Sequence, residues 1–81
     1  MIPFEIVKEA CPDALVADGF DAAVIGYDSK ERVIYSVPKI LGILMKRDEM
    51  SHEEAEEYFD FNVEQAYVGE KTPLYAYTFD R

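Results

Sequence analysis

The stretch Ser51-His52-Glu53-Glu54-Ala55-Glu56-Glu57-Tyr58-Phe59-Asp60-Phe61-Asn62-Val63-Glu64-Gln65-Ala66-Tyr67-Val68-Gly69 decides how the rest of the chain is read. Ser51 with Glu54 three residues later forms a capping box, and Met50 is placed to pack back as a hydrophobic staple. Glu53 and Glu54 lie where the helix dipole favours negative charge. Gly69 supplies the stop, so the pattern predicts a helix over 52–66. At about 100° per residue, Ala55, Tyr58, Phe59, Asn62, Val63, Ala66 and Tyr67 fall on one side. Glu53, Glu56, Glu57, Asp60 and Glu64 fall on the other, and Phe61 lies outside the apolar stripe.

Upstream, Ser36-Val37-Pro38-Lys39 opens a preceding helix over 37–47, with Ser36 as N-cap and Pro38 in the first turn, where its missing N–H is not needed. Val37, Ile40, Leu41 and Leu44 form its buried stripe, widened by Ile43 and Met45, and Lys46 and Arg47 sit at its negative end. Gly42 in mid-helix costs about 1 kcal/mol relative to Ala, and close packing is the expected compensation. The connection 47–50 is short enough to make the two helices an antiparallel pair. Before them, residues 22–27 and 32–36 are two β-rich runs around the polar break Asp28-Ser29-Lys30-Glu31, which reads as an antiparallel hairpin on a type I bend. Gly26 within a strand marks a bulge or a close approach. After Gly69, the alternating aromatic run 74–79 reads as a third strand. Ile2-Pro3-Phe4 opens an N-terminal helix interrupted by Pro12, with a further turn over 13–17; Phe4, Val7, Cys11 and Leu15 are its expected core residues.

The predicted fold class is therefore α+β, a single domain over residues 1–81. A small antiparallel sheet, the hairpin plus the C-terminal strand, packs on an antiparallel helix pair, with a partly helical N-terminus. Eighty-one residues limit the chain to one modest core. Cys11 is the lone cysteine, which excludes an intramolecular disulfide and a multi-cysteine zinc site. No apolar run approaches the roughly 20 residues of a membrane span, so no membrane partner is expected and the reading is cytoplasmic. The net charge of −9 repels nucleic acid backbones and anionic membranes. Direct nucleic-acid binding is disfavoured, and a protein with a basic surface is the partner of matching sign.

Catalytic chemistry has little to work with. His52 is the only candidate base, Cys11 reads as a small core residue, and the glycines are scattered, with no phosphate cradle among them. No catalytic residue and no cofactor is assigned. His52 and Glu56, four apart on one helix face and joined by Glu53 or Glu49, define the alternative of a small metal-dependent protein or enzyme, although a solvated acidic face explains the same residues. No metal ligand set is assigned.

The acidic face carries the functional expectation. Between Asp48 and Glu70 there are nine acidic residues and no Lys or Arg. Like charges at i, i+4, such as Glu53 with Glu57 and Glu56 with Asp60, each cost a few tenths of a kcal/mol. A helix needing only solubility would mix in Lys, so the one-signed ladder points to docking on a basic surface or to imitation of a run of phosphates; solubility alone is the plain alternative. Asn62, in the apolar stripe, is expected to be satisfied by clamping the loop 68–73, or else to open onto a pocket or partner. The aromatics are expected to be mostly core, with Phe61 left for an exposed interface patch. The leading expectation is a non-catalytic protein–protein interaction module, and a structural homo-oligomer is a further alternative.

The segments Asp18-Gly19-Phe20-Asp21-Ala22-Ala23-Val24-Ile25-Gly26, Ile43-Leu44-Met45-Lys46-Arg47-Asp48, Glu53-Glu54-Ala55-Glu56-Glu57-Tyr58-Phe59-Asp60-Phe61-Asn62 and Ala66-Tyr67-Val68-Gly69-Glu70-Lys71-Thr72-Pro73 resemble a family of short, functionally uncharacterised proteins encoded by tailed bacteriophages and prophages. The likeness spans about residues 15 to 74. It implies a setting inside an infected or lysogenic bacterium, and it brings no activity and no catalytic residues.

Overall fold

Ser36 is the point at which sheet becomes helix. In the computed structural model, which describes residues 3–64 and 69–79, it ends strand β2 (Val33–Ser36) and caps helix α2 (Val37–Arg47). Its Oγ accepts from the backbone N–H of Lys39 at 3.4 Å and pairs with Thr78 Oγ1 at 2.9 Å. The first bond satisfies one of the orphan donors of the helix start. The second ties the segment after the last strand to the same point.

Strand β1 (Val24–Tyr27) pairs antiparallel with β2 across a turn organised by Asp28. Asp28 Oδ1 accepts from the N–H groups of Lys30 and Arg32 at 3.0 and 2.9 Å. Glu31 supplies the left-handed residue the turn needs, at φ 61°, in place of a glycine. The register shifts between Val24 and Gly26, so the expected irregularity at Gly26 is a bulge. Strand β3 (Leu74–Ala76) completes a sheet of order β1-β2-β3, and here the expectation of an all-antiparallel sheet is corrected: β3 runs parallel to β2. A parallel pair needs a long crossover. The two helices between β2 and β3 provide it, and no tight turn imposes reversal. The third strand is also shorter than the 74–79 run.

Helix α1 (Pro3–Ala10) buries Val7 and leaves Phe4 half-buried, with Cys11 fully enclosed just beyond its end. Burial, the largest influence, pushes the Cys11 thiol above its ordinary pKa. The further helical turn expected over 13–17 does not form. Beyond the turn at Pro12-Asp13 the segment has no regular secondary structure, and its N–H groups bond elsewhere: that of Ala17 to Tyr35 Oη at 2.7 Å and that of Leu15 to the carbonyl of Lys71 at 3.4 Å. Leu15 is accordingly 39% exposed and not a core residue. A short 3-10 turn, Asp21–Ala23, leads into β1.

Helix α3 (His52–Phe59) has the capping box foreseen from Ser51 and Glu54, with bonds of 3.1 and 2.8 Å. It does not continue as α-helix to 66. Residues Asp60–Glu64 form a π-helical segment, and 65–68 lie outside the described residues, as therefore do the expected core positions Ala66 and Tyr67. The core is built where α2, α3 and the sheet meet. Val33, Tyr35, Val37, Ile40, Leu44, Ala55 and Phe59 are essentially inaccessible, and Tyr75 stacks on Tyr35 and takes the edge of Phe59 at centroid distances of 5.7 and 5.4 Å. Contrary to the expectation for Gly42, a Cβ built there meets nothing within 4 Å, so no close packing offsets its conformational cost.

Candidate functional site

The π segment decides which side chains reach the surface. With i→i+5 bonding, each residue advances by less than the α-helical angle, so a spacing of four keeps its face over a longer run. Ala55, Phe59 and Val63 are accordingly the buried positions, and Asn62 is rotated out of the stripe. Asn62 is exposed, and its Nδ2 donates to the carbonyl of Tyr58 one turn back at 3.3 Å. This corrects the reading of Asn62 as a buried clamp on the loop 68–73. Asn62 instead lines a shallow cavity of about 290 Å³ with Leu15, Val16, Phe20, Tyr58 and Pro73, among others. Tyr58, assigned to the core stripe, lies in the α-helical part of the run and is 40% exposed.

Glu53, Glu56, Glu57, Asp60 and Glu64 are all exposed on the outward face. Among the described residues the ion pairs are Arg32–Asp28, Arg47–Asp48 and His52–Glu56. Four of the five carboxylates on this face, all but Glu56, thus have no cationic partner there. Glu56 has only the exposed His52, whose Nδ1 is 3.6 Å from Oε1.

The face is not a flat ladder. Glu53, Glu56, Glu57 and Asp60 wall a groove of about 280 Å³ whose floor is Val37, Leu41 and Phe59 and whose remaining wall is Tyr77. The floor residues belong to the core, at 1%, 9% and 1% exposure, so the groove is anchored on rigid packing. Tyr77 has its phenol pushed above the ordinary range, first by desolvation and then by the carboxylates of Glu64, Asp60 and Glu56. A neutral phenol beside carboxylates is a hydrogen-bond donor. Such a groove suits a long cationic side chain, whose methylene stem lies on apolar carbon while its head meets carboxylates. Tyr77 is one of the aromatics expected to be mostly core. The strand ends at Ala76 and leaves Tyr77 63% and Phe79 96% exposed. The sequence carries no signal for this, because an alternating aromatic run looks the same whether or not its last residues pair.

Phe61 is 72% exposed, in agreement with its position off the stripe. His52 and Glu56 do face each other, but among the described residues no group of three or more His, Cys, Asp or Glu converges as a metal site. Nor is any helix among them long and apolar enough to cross a membrane. No family model, curated protein or solved structure matches the chain.

Proposed function

We propose that the chain is a non-catalytic interaction module that docks a protein with a basic surface through the groove beside α3. The observation that carries this reading is the set of Glu53, Glu57, Asp60 and Glu64, exposed on one face and without a cationic partner among the described residues. Such a face creates a field that draws in a positively charged partner and raises its association rate. The apolar floor of Val37, Leu41 and Phe59 adds contact area that simple charge screening would not remove. Imitation of a phosphate run is the subclass in which charge dominates. The resemblance to short phage proteins supports a host or phage protein as the partner, inside an infected bacterium.

The test is capture of partners from bacterial lysate by the wild-type chain and by Glu56→Lys/Glu57→Lys/Asp60→Lys, identified by mass spectrometry. A basic protein retained by the first and lost by the second is expected, with retention falling steeply as salt rises. Equal retention by both would remove the acidic face from the reading.

A further inference from the structure

The acidic groove leaves unexplained a cleft of opposite character on another part of the molecule. Lys30 and Arg32 of the β1–β2 turn and Lys71 of the segment before β3 line one opening of about 480 Å³, together with Gly69, Glu70, Thr72, Pro73 and Leu74. Three of the eight Lys and Arg residues of a chain with 17 acidic groups therefore converge on a single cavity. The volume lies within the range of small-molecule sites.

Two of the cations are held in place by the fold. Asp28 Oδ2 takes the Arg32 Nε at 2.8 Å and Nη2 at 2.6 Å, which fixes the guanidinium beside the turn. Hydrogen bonds from the Arg32 and Lys30 N–H groups and from the Arg32 guanidinium, led by the first, hold the Asp28 carboxyl below the usual carboxylate range. Lys71 Nζ donates to the carbonyl of Lys30 at 2.9 Å, which latches the 69–74 segment to the turn and brings its ammonium to the base of the Lys30 side chain. Neither Lys30 nor Lys71 is in an ion pair among the described residues. Among the described residues Glu70 is the one carboxylate lining the cleft, and Glu31 flanks Lys30 on the turn. Asp28 balances the charge of Arg32, so the cations of the cleft outside any ion pair among the described residues are Lys30 and Lys71, with Glu70 opposing them, and their preformed placement lowers the ordering cost of binding an anion.

We propose that this cleft is a binding site for a phosphate group, held by Lys30, Lys71 and the free edge of Arg32, with Pro73 and Leu74 as the apolar wall for whatever the phosphate esterifies. Phosphate suits the donors because two ammonium groups and a guanidinium offer point charges and a planar donor edge to one tetrahedral anion. Lys30 and Lys71 are 41 residues apart, so no local motif announces the site.

The test is an amide NMR titration of the full chain with inorganic phosphate and, separately, with phenyl phosphate, against sodium chloride at matched ionic strength. Perturbations at Lys30, Arg32 and residues 69–74 that saturate with phosphate but not with chloride are expected. Lys30→Gln, whose ammonium makes no structural bond among the described residues, is expected to weaken binding about tenfold, a typical effect for one charge-assisted contact. Glu70→Gln is expected to tighten it severalfold by removing the opposing charge. Tighter binding of phenyl phosphate assigns an esterified phosphate as the ligand, and equal affinity assigns the free ion; either supports the site. Shifts that follow ionic strength alone, or a Lys30→Gln protein that binds as wild type, would overturn it.

Discussion

Replacing Glu57 by lysine separates what the acidic face costs the fold from what it contributes to binding. Glu57 lies four residues after Glu53 and three before Asp60, and all three are exposed without a cationic partner among the described residues. In wild type both spacings set like charges side by side, each destabilising by about 0.2–0.5 kcal/mol. In Glu57→Lys both contacts become attractive by a similar amount, and Glu53 four residues N-terminal to the new ammonium is the favourable orientation of such a pair. Two sign reversals sum to about 0.8–2 kcal/mol at low ionic strength; the onset of the π segment at Asp60 loosens the second contact, so about 1 kcal/mol is expected. For a domain of this size that is a rise in Tm of about 4–8 °C. Thermal unfolding followed by circular dichroism at low and at high salt is the assay, and the gain should shrink as salt screens the pairs. The same variant should bind a basic partner more weakly. A Tm that falls, or does not move at low salt, would mean that the Glu57 carboxylate makes a stabilising contact instead of sitting in a self-repelling row.

Two glycines should respond to substitution in opposite senses. Gly42→Ala should stabilise by about 1 kcal/mol, since the helix gains propensity and the new Cβ meets nothing within 4 Å. Gly19→Ala should destabilise by more than the typical gain of about 0.4–1 kcal/mol at compatible sites, because φ is +89° and the added Cβ would lie 2.9 Å from Arg47 Nη1; denaturant titration of both variants checks the opposite signs. Phe59→Ala should cost about 3–5 kcal/mol, a large share of the about 5–15 kcal/mol of a domain of ordinary stability, because the ring is fully enclosed against Tyr75 and floors the groove; a Tm lowered by more than about 10 °C would show it. Desolvation, with help from Tyr35 and Glu64, pushes the phenol of Tyr75 up to about 12. A tyrosine whose folded value is raised contributes stability that is present below the unfolded value near 10 and is lost as pH rises towards 12. Burial also raises the phenol of Tyr35, and Tyr77 is raised as well, so absorbance titration should show a late-titrating component whose amplitude falls by one phenol in Tyr75→Phe.

What the sequence disclosed is what local chemistry controls. Ser36, Ser51 with Glu54, and the apolar spacing of Val37, Ile40, Leu41 and Leu44 placed both helix starts and the central stripe, because caps and periodicity act within a few residues. The turn at Asp28 was legible for the same reason. The direction of β3 was not legible: strand pairing depends on how the crossover returns the chain, and the run Leu74-Tyr75-Ala76 suits either direction. Asn62 was misplaced because the wheel assumes α-helical advance throughout, and no residue in Asp60–Glu64 flags the π turn; Tyr58, within the α-helical part, lies at the edge of the stripe and is partly exposed. Of the candidate site, the carboxylates were visible as a one-sided set, whereas the groove was not. Its floor comes from α2 as well as α3 and its far wall from Tyr77, beyond the end of β3, and only tertiary packing brings them together.

Whether the acid-walled groove receives a basic partner can be decided by titrating isotope-labelled protein with an arginine-rich peptide at several salt concentrations. Saturable shifts centred on Leu41, Glu56, Phe59, Asp60 and Tyr77 are expected, with an affinity that falls steeply with salt and with loss of those shifts in Glu56→Lys/Glu57→Lys/Asp60→Lys. Shifts spread evenly over the acidic surface, or shifts at the groove that survive the charge reversals, would rule the groove out as the docking site.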